Sequence, residues 1–483
     1  MSPAITAAGR WPLLAMAAIA LAGCASNAID QNFATAQSFS KDQLGTELKW
    51  LRDDDARKQA QSEVDALLAA PLSADDAVRI SLAYNPAVQA MLFETAADSA
   101  AATQSARLPN PVFAFERLMR NEGGVREIEI DRAIRFSVLD LLLLPSRLRL
   151  ADFQQQRVRF RLAGDVLQAA GETRQAWVRA VAAQQSALYA YQVKGTADAS
   201  AELARRMQAV SNFSKLQRAR EQAFSADAVV QVARARQSAQ STREALVRAL
   251  GLNEAQAARL VLPDRLPELP MEPRGEPELM RTAMAARIDV QAARAHLEFV
   301  AREQGLSRVT GFVNGLDIGG VTHSETGRTL QRGYLVDVPL PIFDAGDALR
   351  ARAQATYMAA LNRTAQLAVD ASSQVREGYV EYRTAYDVAR HYRDEIVPLR
   401  KTISEENVLR YNGMLIGVFE LLADAREQIS SVIQAIDAQR DFWLADAAVQ
   451  ATVLGRPLSI SRGINGSSEG DLKRALNTSG RSK

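Results

Sequence analysis

From Glu127 to Val138 apolar and polar side chains alternate almost strictly. Ile128, Ile130, Ile134, Phe136 and Val138 share one face, on which Arg132 is the exception; Glu127, Glu129, Asp131, Arg135 and Ser137 share the other. Leu330, Tyr334, Val336 and Val338 repeat the pattern opposite Gln331, Gly333 and Asp337. Each stretch predicts a strand with one apolar face. A partner strand is expected over Val112 to Arg117, with Asn121-Glu122-Gly123-Gly124 as the turn between the two. In the later pair the expected partner is a glycine-rich stretch, Val309 to Ile318, and Thr322 to Arg328 reads as a polar loop. Strands of this length can cross a bilayer when tilted. Four strands cannot close a barrel, and hydrocarbon does not tolerate open edges, so several copies of the chain would have to share one. Three copies give a twelve-stranded barrel. The alternative is a small soluble β-cap at the end of a rod, which needs no lipid.

Around the strands the chain is rich in Ala, Gln, Arg, Glu and Leu, which favour helix. One stretch, Pro145 to about Val210, predicts roughly 100 Å of helix at about 1.5 Å per residue and so needs a coiled partner. A second runs from about Ala345 to Leu415. The two belong to an internal repeat: Ala87-Val88-Gln89-Ala90 answers to Asp289-Val290-Gln291-Ala292, and Phe213 through Arg220-Glu221 answers to Phe419 through Arg426-Glu427. Each repeat reads as a shorter helix, an extended pair, a long helix and another shorter helix, the shorter ones in the first repeat being residues 74–108 and 214–250. Pro263, Pro267, Pro270, Pro273 and Pro277 mark a linker. The expected organisation is residues 1–23 as a signal, 24–72 as an N-terminal segment, 73–255 and 277–455 as the repeats, 256–276 as the linker, and 456–483 as a polar, flexible tail. The fold class is mainly α with a small β part: duplicated long helical hairpins forming an α-barrel tunnel, with four strands per chain.

Composition narrows the chemistry. The 483 residues carry a formal charge of +2, which gives no nucleic-acid footprint. The single cysteine excludes an internal disulfide and a cysteine zinc site. His296, His323 and His391 are far apart in sequence and read as surface or partly buried residues rather than ligands. There is no glycine-rich phosphate loop, HExxH or G-x-S-x-G, so no enzyme, cofactor or metal site is expected. The cysteine, Cys24, closes Leu21-Ala22-Gly23-Cys24 behind a short apolar run that fits a secretion signal and is too short for a membrane span. This segment resembles a bacterial lipobox, which implies acylation at Cys24. Ala25 and Ser26 follow in place of an aspartate, and by that resemblance favour the outer membrane. One acyl chain anchors only marginally, so a second membrane contact would be needed.

Three further segments carry a wider resemblance. They are Ala77-Val78 through Asn85-Pro86 and on to Leu108-Pro109-Asn110-Pro111; Val338-Pro339-Leu340-Pro341-Ile342-Phe343-Asp344-Ala345-Gly346; and Arg410-Tyr411-Asn412-Gly413 through Phe419-Glu420-Leu421-Leu422. In this order, within a duplicated chain, they resemble the TolC-like outer-membrane factors. The resemblance covers about residues 70–455. It implies a homotrimer with a twelve-stranded barrel in outer-membrane lipid and a periplasmic helical tunnel. Such a duct receives substrate from an inner-membrane transporter through a periplasmic adaptor.

Ser211-Asn212-Phe213 and Gly417-Val418-Phe419 fall at the far ends of the two long helices. They are candidate adaptor-docking tips, with Phe213 and Phe419 expected to pack the hairpin; the other reading is that they only close hairpins. Glu420 and Asp424 stand four apart on one helical face, and in a trimer a pore-facing carboxylate becomes a ring of three, a candidate periplasmic gate. A solvated helix face is the other reading. For the whole chain, the alternative to an export duct is a lipid-anchored periplasmic coiled-coil adaptor or structural protein. The repeated units with strands inside each favour the duct.

Overall fold

The computed structural model describes residues 24–122, 125–310, 315–340, 342–343 and 346–458. The signal and nearly all of the expected tail lie outside the described residues. The chain divides into two compact units, each drawing segments from both expected repeats. One holds the chain as far as Trp50 with Ala87–Val166 and Ile288–Ala371; the other holds Leu51–Pro86, Leu167–Arg287 and the chain from Ser372 onward.

The first unit contains the strands. β1 (Val112–Glu122), β2 (Val125–Ser137), β3 (Asp317–Glu325) and β4 (Gln331–Asp337) form one antiparallel sheet in that order. Pairing Phe113 with Ile134, Phe136 with Ile318 and Ile318 with Val336 gathers most of the large apolar residues on one face, with Arg117, Arg132 and Arg332 as its charged exceptions, while Val112, Leu118, Val321 and Leu335 lie on the other. Phe113, Phe115, Ile134, Phe136, Ile318, Tyr334 and Val336 on that face are exposed. The third strand corrects the sequence reading. Residues up to Thr310 are helical, and Thr322, His323, Ser324 and Glu325, expected in a loop, belong to β3. Their polarity hid them: pairing with β2 is made by backbone, and alternation detects a strand only when one face is apolar. Gly319 is needed there, since a Cβ would stand 2.5 Å from the carbonyl oxygen of Ile134.

Three helices of this unit pack around a buried polar knot. α1 (Cys24–Leu44) supplies Asn32; α2 (Asp54–Leu67) and α3 (Ala74–Tyr84) belong to the other unit. α4 (Pro86–Ser105) supplies Ser99, and α5 (Val138–Ala209) supplies Gln155 and Arg159. Asn32 Nδ2 donates to Gln155 Oε1 at 2.7 Å and to Ser99 Oγ at 3.0 Å, while Arg159 Nε donates to Asn32 Oδ1 at 2.6 Å. A buried amide left without partners costs about 1–3 kcal/mol, so this set fixes one register of α1 on its neighbours. Helix α5 starts at Val138, not at Pro145, and runs through the proline. Pro145 removes only one backbone bond near the helix start, where the amide of Val138 already donates to the carbonyl of Leu316 at 2.8 Å.

In the second unit the later part of α5 pairs with α6 (Lys215–Leu250), followed by α7 (Glu254–Arg259) and α8 (Glu276–Ala286). Helix α9 (Ile288–Thr310) returns to the first unit before the sheet. The second long stretch is α10 (Asp347–His391), a π turn (Tyr392–Ile396) and α11 (Val397–Asn412). Pro398 accounts for the π turn: it lacks an amide hydrogen and its ring displaces the carbonyl one turn earlier. α12 (Val418–Val453) closes the chain. Ile80, Trp177, Val181, Leu246 and Leu250 form one core, and Leu279, Tyr382, Tyr386, Phe442 and Val449 another. Each fully buried side chain of this size contributes about 1.5–3 kcal/mol. The proline-rich linker is tied down by Tyr386, whose hydroxyl donates to the Met271 carbonyl at 2.8 Å.

Gly251 ends α6 in the left-handed region, φ 72°. Beside it Asn85 Nδ2 donates to the Ala249 carbonyl at 2.7 Å, satisfying an end group of the helix. The Asn85-Pro86 pair picked out in the sequence is therefore a helix-end clasp.

Candidate functional site

Two turns carry the expected tips, and they share one geometry. Helix α5 ends with Ser211 at φ 62°; its amide donates to Gln208 and the next, Asn212, to Met207. Helix α11 ends with Met414 at φ 59°; its amide donates to Tyr411 and the next, Leu415, to Arg410. Both are Schellman closures built on a residue other than glycine. The following helices start differently. Ser214 caps α6 in a full capping box with Gln217, whereas Gly417 starts α12 with no side-chain cap. Glu420 in the first turn of α12 offers the amide end a negative charge instead.

This geometry revises the sequence pairing of Phe213 with Phe419. Counted from the left-handed residue, Phe213 answers to Ile416, and Phe419 lies inside α12. Phe213 is buried, and its partner across the tips is Val418, with Ala204, Met207, Tyr411 and Leu422 around them. The Phe419 side chain lies outside the described residues. Ser211, Asn212 and Gly417 are exposed, as are the apolar side chains of Val210, Met414 and Leu415.

The same count places Glu221 and Asp424 each ten residues beyond its left-handed residue. Glu221 is 1% exposed. It accepts from Ser200 Oγ at 2.6 Å and from Arg426 Nη2 at 2.7 Å, and the Arg426 guanidinium also sits 4.5 Å over the Phe224 ring. Asp424 is half-buried and accepts from Asn407 Nδ2. The expected carboxylate pair is thus divided: Asp424 is held against α11, and Glu420 is exposed. Sequence reading missed the Glu221–Arg426 pair. The repeat had set Arg426 level with Arg220, beside Glu221, but like residues at corresponding places in two repeats do not reveal which helices touch. Nearby on α5, Glu202 takes hydrogen bonds from Arg205 at 2.7 Å and Arg206 at 2.8 Å, which hold its carboxyl down to about 2.

On the sheet, register gathers residues far apart in sequence. Asp131 on β2 is directly opposite His323 on β3, and Glu129 is opposite Glu325. His323 Nδ1 lies 2.5 Å from Asp131 Oδ1 and 3.5 Å from Glu129 Oε1. Among the described residues this is a set able to hold a metal ion, and His323 is not the isolated residue that its sequence position implied. Only Glu129 and Asp131, two apart on one strand face, were a signal; the histidine comes by pairing alone. Helix α1 begins at Cys24, whose side chain lies outside the described residues.

Among the described residues no helix is long and apolar enough to cross a membrane, which leaves a β-barrel untouched. No family model matches the chain, and no curated sequence does. Solved structures do match in fold. The outer-membrane channel OprN aligns with 82% of this chain and 92% of its own at 18% identity and a TM-score of 0.66. The outer membrane protein VceC from Vibrio cholerae aligns with 83% of this chain and 98% of its own at 13% identity and 0.66. The MtrE outer membrane channel from Neisseria gonorrhoeae, in its open state, aligns with 78% of this chain and 88% of its own at 18% identity and 0.63. A likeness that spans about four fifths of this chain and most of each neighbour gives this chain the fold of these outer-membrane channels.

Proposed function

We propose that the chain is the outer-membrane channel of a tripartite efflux or type I secretion-like system, passively conducting substrate from periplasm to exterior. The carrying observation is the sheet. It has one face dominated by exposed Phe, Ile and Val, an opposite face carrying most of the Glu and Asp, and edge strands β1 and β4 that no other described strand covers. In water such a sheet is an aggregation hazard; in a bilayer it is a barrel segment that lacks its neighbours. Three copies would set β4 of one beside β1 of the next, with the charged face toward the lumen. The fold likeness to outer-membrane channels supports this reading.

The long hairpins then form the periplasmic tunnel. Their tips, with exposed Val210, Met414 and Leu415, dock a periplasmic adaptor and, through it, an inner-membrane transporter. Cys24, acylated, serves as an auxiliary tether to the same membrane. The test is the mass of the full chain in detergent together with its conductance in planar bilayers. A trimer that conducts supports the reading, and a lipid-free soluble monomer overturns it. Replacing Cys24 with serine behind a different secretion signal should leave membrane-inserted trimer; complete loss from the membrane would make the lipid the sole anchor.

A further inference from the structure

We propose that Glu129, Asp131 and His323 form a binding site for a divalent transition-metal cation on the polar face of the β2–β3 strand pair. The three ligand atoms all lie within 4.8 Å of one another. A tetrahedral ion sits about 2.0–2.2 Å from imidazole nitrogen and carboxylate oxygen, which puts its ligands about 3.4 Å apart. The 3.5 Å between His323 Nδ1 and Glu129 Oε1 already matches that spacing. The 2.5 Å to Asp131 Oδ1 would open to it by a small rotation of the carboxylate, whose side chain is 35% exposed.

The backbone makes the arrangement durable. Asp131 and His323 are register partners, so their side chains leave the same face at the closest cross-strand spacing, and Glu129 follows two residues on. The charge balance also favours a cation. Glu116 on β1 is the register partner of Asp131, and Glu325 is the partner of Glu129, so four carboxylates crowd one patch around a single imidazole. The guanidinium of Arg328 pairs with Glu325, Nη1 to Oε2, at 2.8 Å. Imidazole among the ligands selects zinc, nickel or cobalt over magnesium, which prefers all-oxygen octahedra. The solvent-exposed side leaves room for water to complete the coordination. The site is complete within one chain, so it stands or falls separately from the assembly and conduction of the channel.

The test uses the full chain in detergent, stripped with chelator and titrated with Zn2+ by equilibrium dialysis with metal analysis, and with Co2+ by visible absorption. The expected result is one Zn2+ per chain, not displaced by excess Mg2+, with a Co2+ spectrum intensified above that of the hydrated ion. His323→Gln and Asp131→Asn should each weaken Zn2+ binding at least tenfold, while His391→Gln leaves it unchanged. Absence of stoichiometric Zn2+, or binding that survives His323→Gln, overturns the proposal. Should His323→Gln not yield folded protein, Glu129→Gln and the wild-type Co2+ spectrum decide: a spectrum like that of the hydrated ion also overturns it.

Discussion

Arg426 Nη2 stands 2.7 Å from Glu221 Oε1 and joins the helix that follows one tip turn to the helix that follows the other. Glu221 is buried and Arg426 only partly so, which makes the two ends of the bond unequal. Loss of Arg426 strands a carboxylate that keeps the hydrogen bond from Ser200, whereas Glu221→Gln keeps an acceptor oxygen for Arg426 and an amide that can donate to the Ser200 hydroxyl. Arg426→Met is therefore expected to loosen the tip by about 2–3 kcal/mol, below the cost of breaking a fully buried pair. Hydrogen exchange of the amides around residues 200–225 and 418–430 should quicken roughly 30-fold or more, and the effect of Glu221→Gln should be smaller. Equal protection in wild type and Arg426→Met would show the pair to be idle.

Gly417 tests the proposed docking tips cleanly because it has no structural reason to be glycine. Its φ is −81°, open to any residue, and a Cβ there meets nothing within 4 Å. Gly417→Trp should leave trimer and melting temperature unchanged and abolish efflux in cells. Retained efflux would remove this turn from the adaptor contact.

Glu420 and Asp424 should separate in function as they do in structure. Asp424 is held by Asn407, so Asp424→Ala is expected to lower stability, by about 1 kcal/mol for the lost bond. Glu420→Ala should alter single-channel conductance or cation preference in planar bilayers while leaving the melting temperature within about 1 °C, as for an exposed surface change. Unchanged single-channel behaviour removes Glu420 from the proposed gate.

Gly251→Ala should destabilise the chain by about 2 kcal/mol or more. The left-handed φ of 72° costs a residue with a side chain about 1 kcal/mol, and the new Cβ would stand 2.6 Å from Pro86 Cδ and 2.8 Å from Asn85 Cα. A thermal melt unaffected by the change would mean that the Asn85-Pro86 clasp moves away at little cost.

Asp446 gives a pH-dependent prediction. Burial, the largest influence, pushes its carboxyl up, against the opposing pull of Arg274 at 3.6 Å and of Gln450, which donates at 2.6 Å. A carboxyl raised on folding binds its proton more tightly in the native state, so stability falls as pH rises through the interval between the unfolded and folded values. That cost is present in full above the folded value and absent below the unfolded value near 4. Asp446→Asn should raise the melting temperature at pH 7.5, and its advantage should vanish by about pH 4. An advantage that persists in acid would trace to packing instead.

Several features could be read without coordinates. The alternation of Ile128, Ile130, Ile134 and Phe136 determined an amphipathic strand because side chains on a pleated backbone switch face at every residue. The long runs of helix formers determined helices on both sides of the strands, although Pro145 and Pro398 ended neither run, since one lost backbone bond is small beside the packing of a long helix. The duplication determined the order of elements. Tertiary structure alone decided the rest, because it depends on which backbones meet. Register, not spacing, brought His323 to Asp131 and moved the third strand onto polar residues; the left-handed residues Ser211 and Met414 set where each tip turn starts, and so paired Phe213 with Val418 and Glu221 with Arg426. A contact between side chains hundreds of residues apart leaves no periodic mark in sequence, and only the folded backbone brings it about.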